Sequence, residues 1–286
     1  MMVSSGDFRV YMRQLAGWVW KEQTAAHSFG LSLQEETITE ILLLEMAKTL
    51  SPLGLNVTMF SKAQEGGRTK KVITTLPNGT DVETQVVEIE AEGADWEWFV
   101  KSPDGCMANF RVQAKKLYHD NPTRKGRYGG FHAAGAQIDT LITRANAIGS
   151  NPIYVLYNHP DVTDANLFGP SRQPDFFGRD CWGCAVTTAQ FMKHARDNKL
   201  QTIHRGTVPW HRFFGIGRPC RTRAAMTEIA GKLALDSGDA PQEFVEANEM
   251  PRWVEMLGNS EDLFGYLREQ SLDGVALLDF SDFGGK

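Results

Sequence analysis

The order of elements along the chain predicts an α/β fold, and three features of the sequence carry that reading. Apolar residues recur at helical spacing in the first fifty residues. Several short alternating runs, separated by turn signals, follow between residues 55 and 118. The stretch "NPIYVLYNH" is then almost continuously apolar, the pattern of a strand buried on both faces.

Each element has its own warrant. Residues 7–26 place Phe8, Met12, Leu15 and Val19 on one helical face. Gly30 interrupts, and "SLQEETITEILLLEMAKTL" opens a second helix. There Ser32 and Glu35 match a capping box, Ile38, Leu42 and Met46 recur on one face, and Pro52 and Gly54 end the run. Strands are expected at "LNVTMFSK", "RTKKVITTL" and, after the turn "PNGT", "DVETQVVEIEAE". "ADWEWFVKS", the turn "PDG" and "NFRVQAKKLY" form a hairpin, and the polar, glycine-rich "HDNPTRKGRYGGF" forms a loop. "AAGAQIDTLITRANAIG" is a helix with Ile138, Leu141, Ile142 and Ala145 facing inward, stopped at Gly149. Strands, a helix and a buried strand define a core. We expect residues 1–160 to hold that core with an N-terminal helix, and residues 161–286 to be a mostly helical extension packed on it. "CAVTTAQFMKHA" reads as one of its helices.

Composition narrows the function classes. The chain has 286 residues, 42% hydrophobic and 23% charged, enough to bury a sizeable core. No secretory signal and no apolar run of spanning length is evident, so a cytoplasmic protein that does not engage membranes is expected. The four cysteines, Cys106, Cys181, Cys184 and Cys220, are expected to be reduced. Cys181 and Cys184 have CxxC spacing, but zinc would need a second pair, so small buried side chains are the simpler reading. The net charge of −5 argues against a general nucleic-acid coating protein. Basic residues nevertheless cluster: Arg111, Lys115, Lys116, Arg124, Lys125 and Arg127 face only Asp120 between residues 111 and 130. Such a patch on an acidic protein suits a confined polyanion site.

The chemistry-bearing residues lie in the hairpin. Side chains alternate along a strand, so Phe110, Val112 and Ala114 share one face, and Arg111, Gln113 and Lys115 the other. Asp95 and Glu97 lie on one face of the neighbouring strand, with Trp96 and Trp98 opposite as core residues. Asp95, the Gln113 side-chain oxygen and the Ala114 carbonyl are hard oxygen donors suited to Mg²⁺. Lys115 can position a water or stabilise charge on a phosphoryl group, which is the chemistry of phosphodiester hydrolysis.

Asp95, seventeen intervening residues and Gln113-Ala114-Lys115 together resemble the signature of PD-(D/E)xK nucleases, most closely the Mrr-type restriction endonuclease branch, in which Gln replaces the acid. The string "GADWEWFV … FRVQAKKLY … QIDTLI … PIYVLYN" is similar to a bacterial family sharing that core, over about residues 32–158. The resemblance implies a restriction-endonuclease-like αβββαβ core, Mg²⁺ or Mn²⁺, and DNA as substrate, in restriction or anti-phage defence, with a homodimer or a defence-system partner protein. It implies catalytic roles for Asp95, Gln113 and Lys115 and a further acid from the first core helix, Glu36 ahead of Glu40. Gln137 would contact substrate or Lys115, while Lys116, Arg124, Lys125 and Arg127 would track the nucleic-acid backbone. The neutral Gln113 would hold metal less tightly than an acid. The alternative is a catalytically silent nucleic-acid-binding or protein-interaction module on the same fold.

Overall fold

The structure, a computed structural model, describes residues 5–50, 69–75, 81–87, 94–101, 105–119, 122–129, 134–161, 179–213, 223–229, 243–270, 272 and 274–279. Among these, α1 spans Ser5–Ser28 and α2 Glu35–Leu50; β1 (Thr69–Thr75) and β2 (Asp81–Val87) follow, then β3 (Trp96–Lys101) and β4 (Met107–Lys116). Next come α3 (Ala134–Ala147), β5 (Asn151–Tyr157), β6 (Cys184–Thr188), α4 (Ala189–His194), α5 (Leu200–Ile203) and β7 (Val208–Pro209). The chain closes with α6 (Arg252–Glu255), α7 (Ser260–Gln270) and β8 (Gly274–Asp279).

Six strands form one mixed sheet in the order β7-β6-β5-β4-β3-β8. β3 and β4 are an antiparallel hairpin, with Trp96 opposite Val112 and Lys101 opposite Met107. β4 and β5 are parallel, joined by a connection that contains α3, with Gln113 beside Tyr154. β8 pairs parallel to β3 on its other side.

Helices cover both faces of the sheet. Met12, Leu15 and Val19 of α1 and Ile38, Leu42 and Met46 of α2 pack with Trp96, Trp98, Phe110, Val112 and Ala114 on one face. Ile138 and Leu141 of α3, Trp253 of α6, and Leu263 and Leu267 of α7 pack with Phe99, Tyr154, Leu156 and Leu277 on the other. The alternation read from "FRVQAKK" is therefore the one observed, and both tryptophans are core residues. α3 ends as expected, at Gly149 with φ of 64°.

β1 and β2, among the described residues, pair with each other in a separate two-stranded sheet. Among the described residues the position beside β3 is taken by β8, from the far end of the chain. The C-terminal half is not a helical extension: β6, β7 and β8 supply half of the main sheet. "CAVTT" is a strand, not the start of a helix, and its β-branched residues fit that state. Thr188 then caps α4 by accepting the Phe191 N–H. The expected strand "LNVTMFSK" lies outside the described residues.

The CxxC motif is a packing device. A Cβ on Gly183 would sit 2.0 Å from the Ala16 carbonyl oxygen, so glycine is what lets α1 lie against the turn before β6. Cys181 and Cys184 are free and buried, and burial pushes the Cys181 thiol up to about 11. Cys106, by contrast, is disulfide-bonded, which corrects the expectation of four reduced thiols. Among the described residues no helix is long and apolar enough to cross a membrane.

Candidate functional site

The site exists because β4 outruns its partner. β3 is paired only from Trp96 onward, and the Asp95 N–H still donates to the Val112 carbonyl at 2.8 Å. Beyond that point the inward N–H groups of Ala114 and Lys116 face no β3 residue. Buried N–H groups require acceptors, and two carboxylates provide them. Asp95 Oδ2 accepts the Ala114 N–H at 2.6 Å, and Glu35 Oε2 accepts the Lys116 N–H at 3.1 Å.

The remaining side chains build on those two acids. Gln113 Nε2 donates to Asp95 Oδ2 at 2.6 Å, and Gln113 Oε1 accepts from Gln137 Nε2 of α3 at 2.8 Å. Lys115, 4% exposed, donates through Nζ to Glu35 Oε1 at 3.3 Å. Burial raises the Glu35 carboxyl above the ordinary range; Lys115 opposes that shift and Asp95 adds to it. Glu35 and Asp95 are therefore close enough to repel one another, and the Lys115 charge outweighs that repulsion at Glu35.

The structure brings Asp95, Gln113 and Lys115 together around Glu35, and Gln137 joins them through Gln113. It does not bring in Glu36, which is exposed; the helix acid turned toward Lys115 is Glu35, its neighbour. Glu35 was read instead as a capping-box residue for Ser32, but both turn to β4: Ser32 Oγ accepts from Lys116 Nζ at 2.8 Å. Lys116 is not a surface cation. It is 4% exposed, and its ammonium also donates to the Leu33 carbonyl at 2.6 Å, fastening the start of α2 to β4. Arg124 and Lys125 lie exposed in the turn after β4, with Arg124 over the Tyr118 ring at 5.5 Å. Arg127 is half-buried and donates to Asn198 Oδ1 at 3.2 Å.

Tyr154 is a member that the sequence reading missed. It sits beside Gln113 in register, is 1% exposed, and its hydroxyl has no hydrogen-bond partner among the described residues. Burial raises its pKa first, and the Asp95 and Glu35 charges raise it further. The available signal was a polar-tipped residue inside the apolar run "PIYVLY", but only the strand register puts it next to Gln113.

The polar stripe continues down the hairpin. Asn109, Arg111, Gln113 and Lys115 alternate along β4 and are all buried. Glu97, fully buried, takes Arg111 at 3.3 Å and Asn109 at 2.6 Å, while Arg111 also donates to Gln270 of α7 at 2.6 Å.

Among the described residues no group of three or more His, Cys, Asp or Glu side chains forms a metal cage. The donor set is of another type: two carboxylates, one amide oxygen and the Ala114 carbonyl, hard oxygens of the kind that suits Mg²⁺ or Mn²⁺. The Gln113 amide now presents nitrogen to Asp95; turning it together with Gln137 would present oxygen. The residues fit such an ion.

Fold and site together define an α/β protein whose mixed sheet, flanked by helices, carries a buried acid–amide–lysine cluster at the end of its central hairpin. The chain belongs to DUF6615, a family of unknown function, whose profile matches residues 8–68 and 73–283. No curated protein and no solved structure gives a significant match.

Proposed function

We propose that this protein is a metal-dependent endonuclease that hydrolyses phosphodiester bonds in DNA, with a role in restriction or anti-phage defence. One observation supports the reading above the rest: Asp95, Gln113 and Lys115 converge where the start of β3 meets the end of β4, and Glu35 joins them from α2. The cluster resembles the D…QxK pattern of Mrr-type nucleases at Asp95, Gln113 and Lys115.

Asp95, Gln113 and Glu35 would hold Mg²⁺ or Mn²⁺, which when bound activates water and neutralises charge on the phosphate. Lys115 donates to a phosphate oxygen or to the attacking water, and Glu35 fixes the direction of its ammonium. Gln137 holds the Gln113 amide in place. Arg124 and Lys125, exposed in the next turn, supply sequence-independent attraction to the backbone. The protein would act in the cytoplasm, as a homodimer or with a partner of a defence system.

A second reading, a catalytically silent binding module, draws on a specific observation. The chain's own donors already engage both Asp95 and Glu35. Cleavage of plasmid DNA with Mg²⁺ or Mn²⁺, set beside binding of the same DNA, separates the two. Binding without cleavage under either metal supports the module.

A further inference from the structure

One nitrogen stands between two of the oxygens proposed for the metal. Gln113 Nε2 donates to Asp95 Oδ2 at 2.6 Å and to the Ala114 carbonyl at 3.3 Å. Both partners only accept, so the chemistry of the neighbours decides which end of the amide faces them: it must be the NH₂. An N–H donor between two hard oxygens satisfies them as a cation would, and it keeps a cation from them.

The other end of that amide is fixed as well. Gln113 Oε1 accepts from Gln137 Nε2 at 2.8 Å, and Gln137 lies in the first turn of α3. Gln113 therefore cannot turn alone, because its NH₂ would meet the NH₂ of Gln137. Two donors in contact each lose their acceptor, which is unfavourable in a buried site. Gln137 carries a donor and an acceptor on one group, so it can reverse with its neighbour. The bond is then restored in the opposite sense, with Gln113 Nε2 donating to Gln137 Oε1. Gln113 is 1% exposed and Gln137 half-buried, so the outer amide of the pair is the one that borders solvent.

We infer that Gln113 and Gln137 form a two-position amide switch that controls divalent-metal affinity. With the Gln113 NH₂ inward the cluster is closed. Reversal of both amides opens it, by setting Gln113 Oε1 beside Asp95 Oδ2 and the Ala114 carbonyl. Gln137 is thereby a positioning residue that acts through Gln113. This inference rests on the proposed metal site and concerns its regulation.

Side chains that lack one end of the amide should hold the switch in one position. A lysine only donates, so Gln137→Lys holds Gln113 Oε1 outward and its NH₂ inward. A glutamate only accepts, so Gln137→Glu draws the NH₂ outward. The first should weaken Mg²⁺ and Mn²⁺ binding and the second strengthen it, each by about tenfold, the worth of one such hydrogen bond. Asp139→Asn alters an exposed charge on the same helix by the same one unit as Gln137→Lys, and should change affinity by less than about threefold.

The test titrates the full chain with Mg²⁺ while heteronuclear NMR follows the side-chain amides of Gln113 and Gln137, assigned in wild type so that no variant need fold for this reading. Calorimetry with Mg²⁺ and Mn²⁺ compares wild type, the two Gln137 variants and Asp139→Asn. Both amide resonances should move with one midpoint, equal to the calorimetric Kd. The inference is overturned if Mg²⁺ binds while the Gln113 amide stays unmoved, if Gln113 moves without Gln137, or if Gln137→Lys binds as tightly as wild type. Should wild type bind neither ion, the proposed metal site and the switch fail together. Binding with both amides reversed, but without DNA cleavage, supports the switch and counts against the nuclease.

Discussion

The Nε2 of Gln113 lies 2.6 Å from Oδ2 of Asp95, and that same oxygen accepts the Ala114 N–H at 2.6 Å. A single carboxylate oxygen therefore ties the start of β3 to the end of β4, at the point where their ladder runs out. The tie is structural as it stands; under the proposed function, turning the Gln113 amide would set its oxygen beside that carboxylate.

Metal binding should be visible as stability. Mg²⁺ or Mn²⁺ at about a hundredfold over its Kd should stabilise wild type by about 2.7 kcal/mol. Asp95→Asn should lose most of that increment, because it removes a charged ligand. Melting with and without metal, compared between the two proteins, measures it.

The helix acid that matters should be Glu35 and not Glu36. Glu35→Gln removes the charge that orients Lys115, so DNA cleavage should fall by about 10²-fold or more. Glu36→Gln alters an exposed side chain and should leave the rate within about twofold, since the exposed group touches nothing in the cluster. Single-turnover rates on one substrate compare them directly.

The sequence could not distinguish those two acids. Glu35 completes the capping signal and Glu36 follows it directly, so the choice depends on how α2 docks against β4, a contact between residues about eighty positions apart. The hairpin was legible because alternation along "FRVQAKK" is a local property with a fixed period of two. Lys116 follows Lys115 and reads as a second cation, yet it is bound to the start of α2. β8 was missed for a related reason: "GVALLD" is short, and its partner β3 lies far back in the chain, with Trp96 opposite Gly274. "CAVTT" ran directly into "AQFMKHA", so helix periodicity from α4 was extended over the strand.

Lys116 and Lys125 should therefore respond differently to truncation. Lys116→Ala should lower stability, because the Ser32 and Leu33 oxygens lose a buried charged donor. Lys125→Ala should leave melting unchanged, weaken DNA binding, and reduce the salt dependence by about one unit of slope. Fluorescence anisotropy across a salt series reads both effects.

Glu97 and Arg111 should behave as a coupled buried pair. Glu97→Leu alone strands the Arg111 guanidinium in the interior and should cost about 3–5 kcal/mol. The double replacement Glu97→Leu with Arg111→Met should cost less than the sum of the singles. Urea unfolding of all four proteins closes the cycle.

Stability should fall on mild acidification. Burial, followed by the charges of His119, His27 and Lys116, lowers His159 to about 4, with Asp161 opposing. His119 stacks on it at 3.5 Å between ring centroids. A histidine held neutral in the folded state takes its proton more readily when unfolded. Its contribution is therefore complete above about pH 6.5 and is lost as pH falls toward about 4. His159→Gln should flatten urea midpoints across that interval.

The central claim is that Asp95, Gln113, Lys115 and Glu35 form a phosphodiester-cleaving centre. Incubation of supercoiled plasmid with Mg²⁺ or Mn²⁺, comparing wild type with a Lys115→Ala variant shown by circular dichroism to be folded, tests it most directly. Metal-dependent nicking by wild type that drops by about 10²–10³-fold in the variant is the result this account predicts. Absence of cleavage by wild type with either metal, or equal cleavage by both proteins, would contradict it.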